Sequence, residues 1–133
     1  MENFKDYMLA GKAIFTVEST KIDKRFTYKV KKLGHFYKVS FLYEPDKYRH
    51  MCLLDASHDV LVPFVVKCGI GDIRFKMFNE FCKILNSGDW PDTCKVYKSI
   101  YCARCGRRLT TPESIEDGLG PNCKKYVYKE QQV

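Results

Sequence analysis

At 133 residues, 45% of them hydrophobic and 14% aromatic, the chain can bury one core, which excludes a globally disordered protein. Its 23 Lys and Arg against 16 Asp and Glu leave a formal charge of +7, which favours acidic partners, nucleic acid first. No apolar run approaches the roughly 20 residues of a membrane span, and the start carries no apolar leader core. A cytoplasmic chain with no membrane partner is therefore expected, and in that reducing setting its seven cysteines bind metal or lie buried.

Residues 2–10 suggest a short helix, with Phe4, Tyr7 and Met8 on one stripe and Gly11 at its end. Residues 12–18 and 24–32 alternate as paired strands. Ala13, Phe15 and Val17 form one apolar row, and Phe26, Tyr28 and Val30 another, with Arg25, Thr27, Lys29 and Lys31 on the opposite side. A third strand follows over 36–43, with Tyr37, Val39, Phe41 and Tyr43 as its apolar row, and Glu44-Pro45-Asp46 breaks it. A fourth strand is predicted over 49–55 and a fifth over 58–66, where Pro63 suits only an edge strand or a bulge. The short connections make the meander antiparallel.

The period changes after Gly69-Ile70-Gly71-Asp72. From Ile73 to Ser87, the residues Met77, Phe78, Phe81, Cys82, Ile84 and Leu85 form a helical apolar face, with Asp72 as N-cap and Gly88 just past the C-terminus. This helix should cover one face of the sheet. Trp90-Pro91-Asp92 then turns into a short strand near 94–100. The expected architecture is α+β: an antiparallel β-meander of four or five strands packed by a helix over residues 1–92. A treble-clef-like zinc finger follows over residues 93–133.

The finger is read from Cys102-Ala103-Arg104-Cys105-Gly106-Arg107-Arg108-Leu109 and Gly118-Leu119-Gly120-Pro121-Asn122-Cys123. Two cysteines separated by two residues fit one turn, so both sulfurs can face one ion, and Zn2+ takes four Cys or His ligands in a tetrahedron. Gly106 stands where the turn curls back with φ > 0. Pro121 suits a first helical position, which puts Cys123 in the first turn, where free N–H groups stabilise a thiolate. Thr111 would cap a helical turn that Gly118 stops, and a last helix is expected from 121 to about 130. Cys102, Cys105 and Cys123 are the expected ligands. The fourth position is open to Cys94, a histidine or water; Cys94 reaches the metal only if the chain folds back. Against this stand two plainer readings, three small cysteines buried as hydrophobes or a redox pair at Cys102 and Cys105.

The run over 102–123 resembles the C-terminal signature of an uncharacterised family of small phage and plasmid proteins, with the pattern C-x-x-C-G-R-x-L-T-x-P-x-S-I-x-x-G-x-G-P-x-C. The stretch Leu9-Ala10-Gly11-Lys12-Ala13-Ile14-Phe15-Thr16-Val17 is similar to the openings of such chains. The resemblance implies a phage or mobile-element origin and a zinc-finger-like end, without an activity. Family members carry a histidine a few residues before the first cysteine; here Tyr97, Lys98 and Ser99 stand in that neighbourhood.

Positive charge gathers in two stretches. Residues 21–38 hold seven Lys and Arg against Asp23 alone, Lys29 and Lys31 among them; residues 94–112 hold Lys95, Lys98, Arg104, Arg107 and Arg108 and no acid at all. Lys124 and Lys125 follow Cys123. A rigid turn presenting these arginines suits phosphate, and Tyr97, Tyr101 and Tyr126 could stack on unpaired bases. The plainer readings are packing for each tyrosine and, for the arginines, a solvated face or a bond to nearby carbonyls that fixes the finger, with Arg107, which adjoins the turn, the best candidate for that bond. His35, His50 and His58 are scattered, and no nucleophile–base spacing or phosphate-cradling loop appears, so an enzyme is not expected. The reading is a zinc-binding accessory protein that contacts nucleic acid through a basic surface. The alternative is a module that binds or inhibits a host protein, such as a defence or transcription complex. A metal-dependent enzyme, which needs an open coordination position, comes third.

Overall fold

The computed structural model describes residues 3–106, 108, 116, 118 and 119. Its elements are α1 (Phe4–Met8), β1 (Lys12–Ser19), β2 (Lys24–Leu33), β3 (Phe36–Glu44), β4 (Lys47–Asp55), β5 (Val62–Phe64), α2 (Ile73–Ser87) and β6 (Cys94–Lys98). The six strands form one antiparallel sheet, in the order β5-β4-β3-β2-β1-β6, that curls into a half-barrel. The α+β architecture expected from the sequence is present. The helical turn expected at 111 and the helix expected from 121 lie outside the described residues.

Local chemistry explains the boundaries. Gly34 (φ +63°) closes the turn between β2 and β3, and Asp46 (φ +61°) closes the one between β3 and β4. Both occupy the left-handed region that tight hairpins need. Asp72 caps α2 through its carboxylate, which accepts from the Arg74 backbone N–H at 2.9 Å. Gly88 ends the helix at φ +78° and donates to the Ile84 carbonyl. Both caps stand where the sequence places them.

The fifth strand is shorter than the predicted 58–66. Asn86 takes both backbone groups of Leu61: its Oδ1 accepts from Leu61 N at 2.8 Å and its Nδ2 donates to Leu61 O at 3.0 Å. A residue bonded in this way has nothing left for a ladder. Pairing therefore starts at Val62, and Pro63 sits on the sheet's outermost strand, where a missing N–H costs nothing.

The last strand has a partner that the sequence does not name. β6 joins the free edge of β1, with Thr16 opposite Tyr97 and Val17 opposite Val96. Residues 94–98 are thereby part of the sheet.

One face of the sheet packs against both helices. Phe15 meets Phe4 edge-on at 5.1 Å and lies 5.9 Å from Phe81, and Tyr28 lies 5.3 Å from Phe78. Tyr28 also donates its hydroxyl to the Arg74 carbonyl at 2.6 Å, tying β2 to the first turn of α2. The Arg74 guanidinium stacks 3.8 Å from the Phe41 ring centroid. Ala13, Val17, Val30, Val39, Cys52 and Leu54 complete the buried face. Burying each large side chain is worth about 1.5–3 kcal/mol, so this layer dominates the fold's stability.

Candidate functional site

β6 leads directly into the cysteine turn. Ser99 N donates to the Ile14 carbonyl at 3.1 Å, carrying the β1 pairing one step past the strand. Tyr101 and Arg108 form an isolated antiparallel bridge, which places residues 102–106 at a hairpin tip. Within it Gly106 N donates to the Cys102 carbonyl at 2.9 Å, and Gly106 has φ +81°. Cys102 and Cys105 therefore lie on one turn, as their spacing predicts, with Cys102 buried and Cys105 exposed.

That turn is seated against the N-terminal elements. Ala103 is buried; its N–H donates to the Gly118 carbonyl at 2.8 Å and its carbonyl accepts from Lys12 N. Gly11 passes so close that a Cβ there would lie 3.1 Å from the Arg104 carbonyl oxygen. Gly118, at φ +77°, lies against the Tyr7 ring, and Leu119 is 1% exposed within the core. Lys98 Nζ donates to the Glu116 carbonyl at 3.2 Å and sits 5.0 Å from the Tyr7 centroid. The described parts of the C-terminal stretch thus share the core of the sheet.

The thiols divide between two places. Among the described residues no three or more Cys, His, Asp or Glu gather as a metal group. Cys102 and Cys105 supply two donors, and Cys123 lies outside the described residues. The donor chemistry of this pair fits Zn2+, since two thiolates on one glycine-closed turn are half of a tetrahedral set. Cys94 stands at the far end of β6, opposite Ser19, while the exit of that strand meets Ile14. Those five residue steps along β1 separate it from the strand's exit toward the turn by about 16 Å at about 3.3 Å per residue. Cys94 lines a cavity of about 480 Å³ with Val17, Met77 and Phe81, and burial raises its thiol pKa.

The face of the sheet opposite the helices carries the charge. Lys12 pairs with Lys31, and Lys31 pairs with Lys38, so three lysines stand in one row across β1, β2 and β3. The next row holds Ile14, Lys29, Ser40 and His50. Among the described residues Lys12, Lys29, Lys31 and Lys38 make no ion pair, whereas Arg25 pairs with Glu18 at 3.0 Å and Lys47 with Glu44 at 3.3 Å. The Lys29 pKa is lowered, first by burial and then by Lys31 and Lys38. The cysteine turn borders this row, because a Cβ on Gly106 would lie 3.6 Å from Lys12 Cδ.

Aromatic rings flank the lysines. Tyr97 and Thr16 are paired, Thr16 pairs with Thr27, and the row resumes with Leu42 opposite Tyr48. Lys29 Nζ lies 4.2 Å from the Tyr48 centroid, and the Arg25 guanidinium 5.3 Å from that of Tyr97. Burial raises the Tyr48 phenol, with Asp46 and Tyr101 adding to the shift.

Of the basic residues named from sequence, Lys29 and Lys31 come together on this face. Arg104 and Arg108 lie on the cysteine turn and its bridge. Arg107, Lys124 and Lys125 lie outside the described residues, as does Tyr126. Sequence reasoning did not pick out Lys12 or Tyr48. Strand alternation puts Lys12 on the polar side, but Tyr48 reaches it only because the register shifts between Val39 and Ser40, where β4 passes from Cys52 to His50; plain alternation from Cys52 would turn Tyr48 toward the core.

The matching stretch of this chain is its C-terminal end. Residues 99–128 match the model of a family of unknown function (DUF6011), which fits the resemblance to an uncharacterised family. No curated protein matches the chain, and no solved structure does.

Proposed function

We propose that the protein is a zinc-supported, nucleic-acid-binding accessory protein of a phage or mobile element, a binder rather than an enzyme. The observation that carries this reading is the cross-strand row Lys12, Lys31 and Lys38, with Lys29 beside it and no acid among its described partners. Like charges placed directly opposite on a sheet are destabilising. A polyanion relieves that repulsion, and the counterions it releases supply affinity. Cys102 and Cys105, with Cys123, would hold the zinc, which would brace the turn beside Lys12 and present Arg104, Arg107 and Arg108 on the same side. The resemblance of residues 102–123 to small phage and plasmid proteins supports the mobile-element setting.

Titration of labelled nucleic acid at about 50 and 200 mM salt tests the proposal. Binding should weaken steeply with salt, and Lys31→Gln should reduce the slope of log affinity against log salt by about 1. Absence of binding at about 50 mM salt, where phosphate contacts are strongest, overturns it. In that case a host protein captured on the same face becomes the reading to test.

A further inference from the structure

We infer that the nucleic acid bound is single-stranded, and that the sheet face opposite the helices is its stacking platform; this rests on the nucleic-acid reading above. A duplex is read by an element that enters a groove, and the major groove, about 12 Å wide, admits a helix or a two-stranded ribbon. Here both described helices pack on the other face through Phe4, Phe78 and Phe81. What remains is a broad surface. From Tyr97 on β6 to Tyr48 on β4 the face spans four strand spacings, about 19 Å along the sheet at about 4.8 Å each.

That surface alternates rings and cations. Tyr97 is 44% exposed, and Tyr48 is half-buried. The Arg25 guanidinium lies over the Tyr97 ring and the Lys29 ammonium over the Tyr48 ring, so a stacking base displaces a long, flexible cation from the ring face. A base stacked on either ring brings its phosphate within reach of a neighbouring cation. Every base has a π-face, so this arrangement binds strand without reading sequence. The lysine row runs parallel to the tyrosine row, four residues further along β1, about 13 Å away. Lys29 stands between the two rows, from which both bases and backbone can be contacted. Thr16 and Thr27, hydrogen-bonded to each other at 2.7 Å, put short side chains in the middle of the tyrosine row.

Fluorescence anisotropy on the full chain at about 100 mM salt tests this with a thymidine 15-mer, a uridine 15-mer and a duplex of the same length. At least one single strand should bind about tenfold or more tighter than the duplex. Tyr48→Leu with Tyr97→Leu should weaken single-strand binding about tenfold or more and leave duplex binding unchanged. Tyr48→Phe with Tyr97→Phe, which keeps both rings, should bind as the parent does, and this separates stacking from loss of fold. Equal affinity for duplex and single strands, or tyrosine variants that bind single strands normally, overturns the platform while the nucleic-acid reading stands. If no probe binds even at about 50 mM salt, both fall together.

Discussion

Gly118 lies flat on the ring of Tyr7. Its φ of +77° and the buried ring together leave no room for a side chain. The ring cannot give way, because Tyr7 donates its hydroxyl to the Ile14 carbonyl at 2.7 Å and accepts from Ser99 N at 3.4 Å. One tyrosine on α1 thus organises β1, the exit of β6 and the C-terminal stretch. Gly118→Ala should cost about 2–4 kcal/mol, from overpacking and from the left-handed backbone together. Urea denaturation measures it, and an unchanged midpoint would show that the contact is not made.

The Asp72–Arg74 cap should account for a measurable share of the stability of α2. The Asp72 carboxylate accepts from Arg74 N and Nε, each at 2.9 Å, and pairs with Nη2 at 2.6 Å. Hydrogen bonding from the Arg74 side chain lowers its pKa below 3.8. A depressed carboxylate stabilises above its unfolded value and loses that contribution as pH falls through the folded one. Asp72→Ala should therefore lower stability by about 1 kcal/mol at neutral pH. The gap from the parent should close below about pH 3.8, which thermal melts across an acid series would record.

Alkali should act through buried thiols. Burial, with a smaller contribution from Cys68, pushes Cys52 up to about 12 from 9.0, and burial pushes Cys82 higher still. Both are held neutral in the fold. Their contribution is full below pH 9.0, where the unfolded thiols begin to ionise, and is lost as pH rises toward the folded values. The melting temperature should fall between about pH 9 and 11, less steeply in Cys52→Ala. A thiol reagent at neutral pH should reach Cys52 and Cys82 only as fast as the protein opens.

Removing one lysine from the cross-strand row should move stability and binding in opposite directions. Lys38 stands opposite Lys31, and both lower the Lys29 pKa after burial. Lys38→Thr should gain about 0.2–1 kcal/mol by relieving like-charge repulsion. The same change should weaken nucleic-acid binding. Melts and titrations on one preparation check both, and a loss of stability would contradict the repulsion.

Zinc, if it is bound as proposed, should appear at one ion per chain by elemental analysis and fall away in Cys102→Ser and Cys123→Ser. Ala103 and Leu119 lie in the shared core, so a chelator should lower the melting temperature of the whole chain. A metal-free native protein would remove this part of the proposal.

The sequence by itself determined where most elements lie and, for β1, β2, β3 and α2, which side faces the core. Phe26, Tyr28 and Val30 alternate with Arg25, Thr27, Lys29 and Lys31, and a period of two has one solution on a half-buried strand. Asp72 and Gly88 bounded α2 because capping is local chemistry. The turn at Gly106 was legible for the same reason. Only the tertiary structure decided what depends on partners far along the chain. It put β6 on the edge of β1, seated Ala103 against Lys12 and Gly118, and parted Cys94 from Cys102. It also set Lys12, Lys31 and Lys38 in one row. Register is a property of pairs of strands, chosen by the core residues they must bury together, and no single strand carries that information.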